Sequence, residues 1–413
     1  MSLRMTRRNF LKTSTLAIPG LMLFEKSIFS SPLLSQDPHF FVMVRAFGGM
    51  DATLGLDPQI MPVDTTSEDI FLEYRPEDII KVDGLKFGPT CKAIVPFAKK
   101  CNVVNGVMMK RDAGHEQLLQ YMASGKGDGS APLVPVELAA TAASGPYGVI
   151  SDSSVYSASR NVPMSSVSDI MNEVNGPSLA TILRPLDPDP TQISPLAIAL
   201  RSIISSGSIT ASLITALAEV KKNHADATPK VQATIASFLA GASQQAILEL
   251  TDDNFDTHSN HEKIHFGYQT KLWNQVADLF SRFEKTQYLS GSLMDYTTFM
   301  VITEFSRTPN LNGAKGKDHN TDTNSVLFAG KNILGGKTVG SSKIISAKNS
   351  RAGVPLHIAA AIDPKTGQPA NDPKGATFIL PENVIRTVAD IFGNPKGFSS
   401  VDPDTSIIPG VKA

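Results

Sequence analysis

Of the 413 residues only two are cysteine. That excludes a disulfide framework, a four-cysteine zinc site and a thiolate-ligated iron–sulfur cluster. An excess of one charge is also missing: 38 Lys and Arg stand against 39 Asp and Glu, so composition offers no strongly basic face for nucleic acid. Beyond the N-terminus no apolar run reaches membrane-spanning length. The phosphate loop GxxxxGK(S/T), a GxGxxG after a strand and the GxSxG elbow are absent, which argues against nucleotide, dinucleotide and α/β-hydrolase chemistry. What is present is a chain 41% apolar, long enough for one large domain with a sizeable core.

The N-terminus reads as an address. Thr6-Arg7-Arg8-Asn9-Phe10-Leu11-Lys12 precedes a short, weakly apolar stretch that ends near Phe24. A twin-arginine pair with Phe-Leu-Lys at this spacing fits a twin-arginine export signal over residues 1–35, with the small residues Ser27 to Ser31 near the cut. The mature chain, 36–413, is then expected in the periplasm or secreted. Proteins exported this way fold first, often around a metal or cofactor. In that oxidising compartment Cys91 and Cys101 either pair or stay buried thiols on a helix and the strand after it.

Along the mature chain, Phe40 to Phe47 is a continuous apolar run that ends at Gly48-Gly49-Met50-Asp51, as a buried parallel strand does. Thr90 to Lys100 looks helical, Asn102 to Met108 is a second buried strand, and Glu116 to Ser124 is a helix closed by Gly125. Residues 130–200 read as loops with short elements. Leu196–Ser205, Ile209–Asn223 and Val231–Leu250 read as a helical insertion at about 196–250. His261 to Lys285 is the best amphipathic helix, with Ile264, Tyr268, Leu272, Val276, Leu279, Phe280 and Phe283 on one stripe, and Ser259 or Asn260 as its N-cap. Tyr296 to Thr303 and Ser325 to Ala329 read as strands, and Pro381 to Phe392 as a last helix. This alternation predicts a three-layer α/β/α domain around a mainly parallel sheet, with ligands at the carboxyl ends of its strands.

The residues able to carry chemistry cluster after those strands. Asp51 follows two glycines at the end of the first strand, where a carboxylate can face a metal or cap the next turn. Asp252 to His261 holds three carboxylates and two imidazoles in ten residues, and His261 and His265 stand four apart on one helix face. Glu304 ends a strand, and Arg307 beyond it either holds an anion or pairs with a carboxylate. Asp318-His319 lies in a polar loop, and His115 opens a helix whose N-terminus attracts anions. His39, His224 and His357 have no supporting neighbours.

Five blocks in this order resemble a known family. They are Gly48-Gly49-Met50-Asp51, Gly114-His115 through Ser124-Gly125, Phe255-Asp256-Thr257-His258, Thr303 to Thr308, and Asp318-His319 with Gly335-Gly336 after it. Together they are similar to the exported bacterial domain-of-unknown-function family 1501, related to the alkaline phosphatase and sulfatase superfamily. The resemblance implies an alkaline-phosphatase-like fold from about residue 38 to the C-terminus. It implies a metal site of Asp51, Asp256, His258, Glu304 and His319, with Asp318 in or near it. Glu304-Phe305 stands where the superfamily has an Asp-His pair, and His115 stands at the nucleophile position, where Ser, Thr or Cys is usual.

The first functional expectation is therefore a metal-dependent hydrolase of phosphate or sulfate esters. A divalent ion (zinc, manganese or calcium) would serve it, with His115 facing the substrate and Arg307 holding its anion. The alternative is a non-catalytic binding or structural protein of the cell envelope on the same fold. Its ligand would be an anionic small molecule or glycan. A redox enzyme is disfavoured by the cysteine count.

Overall fold

The structure is a computed structural model. It describes residues 38–413 apart from 64, 66–68, 111–113, 129, 142–144, 146, 152–161, 169, 172–208, 210, 351, 371–373 and 395. The expected export signal, the helix expected at Leu196–Ser205, and Asp112, a polar residue expected with His115 after the second strand, lie outside the described residues.

Eight strands form the central sheet: β1 (Phe40–Ala46), β2 (Cys101–Asn105), β3 (Val149–Ser151), β4 (Met164–Ser166), β5 (Gln245–Leu248), β6 (Thr297–Thr303), β7 (Ser325–Gly330) and β8 (Lys337–Gly340). Across the sheet the order is β8-β2-β7-β6-β1-β5-β3-β4. Neighbours run parallel except at β7, which is antiparallel to both β6 and β2. β1 is central, in register with β6 from Phe40 against Thr297 to Ala46 against Thr303.

The two-residue period of β1 divides the core. Phe40, Val42, Val44 and Ala46 face one apolar layer, and Phe41 and Met43 face the other. Helices cover both faces. On one side lie α1 (His115–Ser124), α2 (Val134–Thr141) and α5 (Pro381–Ile391). On the other lie α3 (Pro229–Leu239), α4 (His261–Lys285) and the 3₁₀ turns of Pro89–Lys100. A layered α/β sheet is thus observed, mostly parallel, with one reversed strand.

Local chemistry explains the helices. Pro96 lacks the N–H an α-helix would need, and Pro89–Lys100 winds as 3₁₀ turns instead. α1 ends at Gly125, whose φ of 75° is left-handed, and its N–H closes on Tyr121 O. α4 buries Leu272, Trp273, Val276, Leu279, Phe280 and Phe283 along one stripe, each contributing about 1.5–3 kcal/mol of transfer free energy. Asn260 stands at its N-cap position but in a left-handed conformation (φ 54°), and its side chain caps nothing. The His261 N–H is satisfied by Lys315 O of a neighbouring loop instead.

The expected helical insertion at 196–250 needs correction. Residues 211–223 and α3 are helical, but Gln245–Leu248 is β5, parallel to β1 on one side and β3 on the other. Gly241, with φ of 68°, breaks the helix before it. A four-residue segment buried throughout has no periodicity that separates strand from helix.

Cys91 and Cys101 are both buried free thiols, in the 3₁₀ segment and at the start of β2. Burial pushes Cys91 well above its ordinary pKa and Cys101 up to about 12. Native protein is therefore expected to leave a thiol reagent such as Ellman's unreacted at pH 8, with two equivalents titrating after unfolding without reductant. No titratable thiol in the unfolded chain would contradict this.

Candidate metal centre

The candidate residues gather where β1 and β6 end. β1 stops at Ala46, and Gly48 and Gly49 (φ 109° and 81°) turn the chain sharply before Asp51. A Cβ on Gly48 would lie 2.4 Å from Asp256 N and 2.6 Å from Phe255 N, so only glycine lets the Asp256 loop pass this close. β6 stops at Thr303, and Glu304 follows, fully buried. α1 delivers His115 at its first residue, and a short ribbon pairing Arg307 with His319 delivers the last imidazole.

Arg307 joins these loops from beneath. Its guanidinium is fully buried. Nε donates to Gly49 O (3.1 Å), Nη1 to Lys317 O (3.0 Å), and Nη2 to both Gly48 O and Asp256 Oδ1, the latter at 2.8 Å. Burial lowers its pKa, and the Asp256 hydrogen bond opposes that. Four of its five N–H groups are thereby engaged with the protein.

Above Arg307, four ligand-type side chains converge on one point. Asp256 Oδ1 lies 3.4 Å from His115 Nε2, 3.1 Å from His258 Nε2 and 3.4 Å from His319 Nε2. His258 Nε2 and His319 Nε2 are 2.9 Å apart. Metal–ligand bonds of about 2.0–2.1 Å place tetrahedral neighbours about 3.3 Å apart, close to these separations. Ligand atoms of His115, Asp256 and His319 all fall within 4.8 Å of one another. His258 completes the group from its outer rim, its side chain 45% exposed.

Carboxylates behind the ring fix two imidazoles. His115 Nδ1 lies 2.6 Å from Glu304 Oε1, which also accepts the Gly48 N–H at 2.7 Å. With Nδ1–H donated to the carboxylate, the neutral ring turns its Nε2 lone pair to the centre. The same hydrogen bond raises the His115 pKa above its ordinary value, against the effect of burial. His258 Nδ1 lies 2.8 Å from Asp318 Oδ1, which also accepts from Asn312 Nδ2. Burial and then the nearby Arg307 charge lower His319. Burial raises Asp256, but the Arg307 hydrogen bond and charge outweigh it, so Asp256 is ionised at neutral pH. The Phe305 ring packs against His115 and His319, 4.9 and 4.3 Å between centroids.

Asp51 lies apart from this group. Its Oδ2 accepts from Lys317 Nζ at 2.6 Å, and its Oδ1 accepts from the Thr53 amide and hydroxyl. Both ions of the pair are buried, and the lysine charge holds Asp51 well below the usual carboxylate range despite desolvation. Glu304 and Asp318 face Nδ1 atoms rather than the centre, and Arg307 faces carbonyls and Asp256. The structure thus brings His115, Asp256, His258 and His319 together, with Glu304 and Asp318 behind the imidazoles. Lys317 drew no notice in the sequence; its one signal was its place next to Asp318-His319.

A family model described as a protein of unknown function (DUF1501) matches residues 210–370. That segment holds Asp256, His258, Glu304, Arg307, Asp318 and His319. Asp51 and His115 lie outside it. No curated protein and no solved structure matches the chain.

Gly48→Ala forces a Cβ onto the backbone of the Asp256 loop in a left-handed conformation. A loss on the order of 2–4 kcal/mol is expected, seen as a lower chemical-denaturation midpoint. An unchanged midpoint would show that the loop yields freely.

Proposed function

We propose that the chain is a metal-dependent hydrolase of phosphate or sulfate esters, with one divalent ion held by His115, Asp256 and His319 and by His258 at the rim. The observation that carries this reading is the convergence of three Nε2 atoms on Asp256 Oδ1 at 3.1–3.4 Å. Three imidazoles and one carboxylate suit zinc, and manganese next. Calcium prefers an all-oxygen set. A divalent ion there would supply Lewis acidity and an acidified water. The chain's part is to present the Nε2 lone pairs. Glu304 does this for His115 and Asp318 for His258, while Arg307 keeps Asp256 ionised. Among the described residues around the centre, the buried cations Arg307 and Lys317 are held by Asp256 and Asp51, so an anionic ester would be met by the ion. The alkaline-phosphatase-like fold and twin-arginine export to the periplasm belong to the same reading. They rest on the five sequence blocks and the Arg7-Arg8 signal.

One observation favours the envelope-binding alternative. With His258 as fourth donor, a tetrahedral zinc has no open position, which is the pattern of structural sites. The exposure of His258 bears on this choice, because an exposed imidazole can give way to a water or an ester oxygen.

Protein purified without chelator or added metal is expected to carry about one equivalent of zinc or manganese per chain by mass spectrometry, and to hydrolyse aryl phosphates or sulfates. His319→Ala and Asp256→Asn should lose both properties. A folded wild-type chain that holds no metal and takes up none when offered would overturn the reading; bound metal with no turnover would favour the envelope protein.

The pH dependence of affinity has a definite sign. Ligation needs His115 Nε2 unprotonated, and Glu304 raises the His115 pKa above 6.5. Affinity should therefore fall as pH drops through that raised value, by about tenfold per unit below it. Glu304→Gln should move the fall to lower pH, as read by calorimetric zinc titrations. A fall centred at the same pH in both proteins would contradict the role of Glu304.

A further inference from the structure

Behind the centre lies a chain of hydrogen bonds whose proton positions follow from one backbone donor. Asp51 N–H donates to His265 Nε2 at 3.1 Å, so that nitrogen carries no proton. Burial and the neighbouring His261 hold His265 well below its ordinary pKa, so its ring is neutral with the proton on Nδ1. His265 Nδ1–H then donates to Thr257 Oγ1 at 2.9 Å. The Thr257 hydroxyl proton is left for His261 Nδ1 at 2.7 Å, since its other acceptor, Phe255 O, is 3.4 Å away. Burial pushes the His261 pKa down to about 4, so it is also neutral; its proton lies on Nε2, which faces Asp51 Oδ2 (3.6 Å) and Glu73 Oε1 (3.5 Å). The two rings stack at 4.1 Å, four residues apart on α4. The chain of hydrogen bonds starts at the Asp51 amide and ends at His261 Nε2, which faces the Asp51 carboxylate beyond hydrogen-bond distance.

Thr257 stands between Asp256 and His258, two of the converging side chains. Its carbonyl accepts the Lys317 N–H at 3.1 Å, which ties it to the loop that carries His319. The Lys317 ammonium returns to Asp51. One hydroxyl is therefore clamped between two imidazoles of the 25-residue helix α4, at the point where the two ligand loops meet.

We infer that Thr257 is a positioning residue for the metal centre: its hydroxyl, held between His261 and His265, sets Asp256 and His258 at ligand distance from His319. The inference rests on the proposed metal site. A serine keeps the clamp, whereas a valine of the same shape leaves both Nδ1 atoms without their partner. The general effect of removing a group that orients a ligand is a loss of about 10- to 100-fold in metal affinity.

The test is cobalt(II) titration of wild type, Thr257→Val and Thr257→Ser, read by the visible d–d spectrum and by calorimetric affinity. The expected result is a wild-type tetrahedral spectrum, an affinity about 10- to 100-fold weaker with an altered spectrum in Thr257→Val, and recovery of both in Thr257→Ser. If Thr257→Val does not fold, His261→Gln takes its place. It keeps an N–H toward Asp51 and Glu73 but removes the Nδ1 that accepts the Thr257 proton, and the same loss is expected. A folded Thr257→Val or His261→Gln with wild-type affinity and spectrum would overturn the inference while leaving the metal site standing. A wild-type chain that binds no cobalt would overturn the metal site itself, and the inference with it.

Discussion

The buried guanidinium of Arg307 is the interaction on which the rest of the site depends. Taking such an ion out of water costs several kcal/mol unless its donors are met. Here they are met by Gly48 and Gly49 carbonyls after β1, the Lys317 carbonyl before His319, and the Asp256 carboxylate. Three loops, distant in sequence, are thereby held at fixed separations by one planar fork. Arg307 holds the partly exposed Asp256 carboxylate at the point that the three imidazoles face.

The other charges follow from that arrangement. Gly48 must be glycine because its φ of 109° and the Asp256 backbone leave no room for a Cβ; its carbonyl meets Arg307 and its N–H meets Glu304. Glu304, thus anchored, fixes His115. Lys317 lends its carbonyl to Arg307 and its ammonium to Asp51, so a second buried ion pair ties the His319 loop to the first turn after β1. The ion pairs Asp51–Lys317 and Asp256–Arg307 lie just past the carboxyl ends of β1 and β6, while apolar layers cover both faces of the sheet. That division is what an α/β sheet with its ligand site at the strand ends requires.

Much of this was legible in the sequence. β1, α1 with its Gly125 cap, α4 and α5 announced themselves through long periodic patterns or unambiguous punctuation. The residues at the centre also stood out, because Asp, His and Glu after buried strands are unusual company. β5 did not, because four buried residues carry no period. The reversal of β7 did not either, since strand direction leaves no local trace. The pattern gave residue types but not the direction of their side chains. Asp51 reads in the sequence as a metal ligand or as a cap of the next turn; in the fold it caps that turn and also meets Lys317, 266 residues away. Arg307 reads as an anion holder or as the partner of a carboxylate; it pairs with Asp256, and its carbonyl partners are backbone atoms that no sequence motif marks. The pairing of Thr257 with two imidazoles depends on α4 starting at His261, a boundary set by a neighbouring loop rather than by its own cap.

The central claim is that one cation sits among His115, Asp256, His258 and His319. Anomalous diffraction at the zinc edge, from crystals of the full chain grown with zinc, tests it most directly. A single strong peak is expected about 2 Å from Nε2 of His115 and His319 and from Asp256 Oδ1. A peak on Asp51 in place of the Lys317 ammonium, or none at the centre, would contradict it.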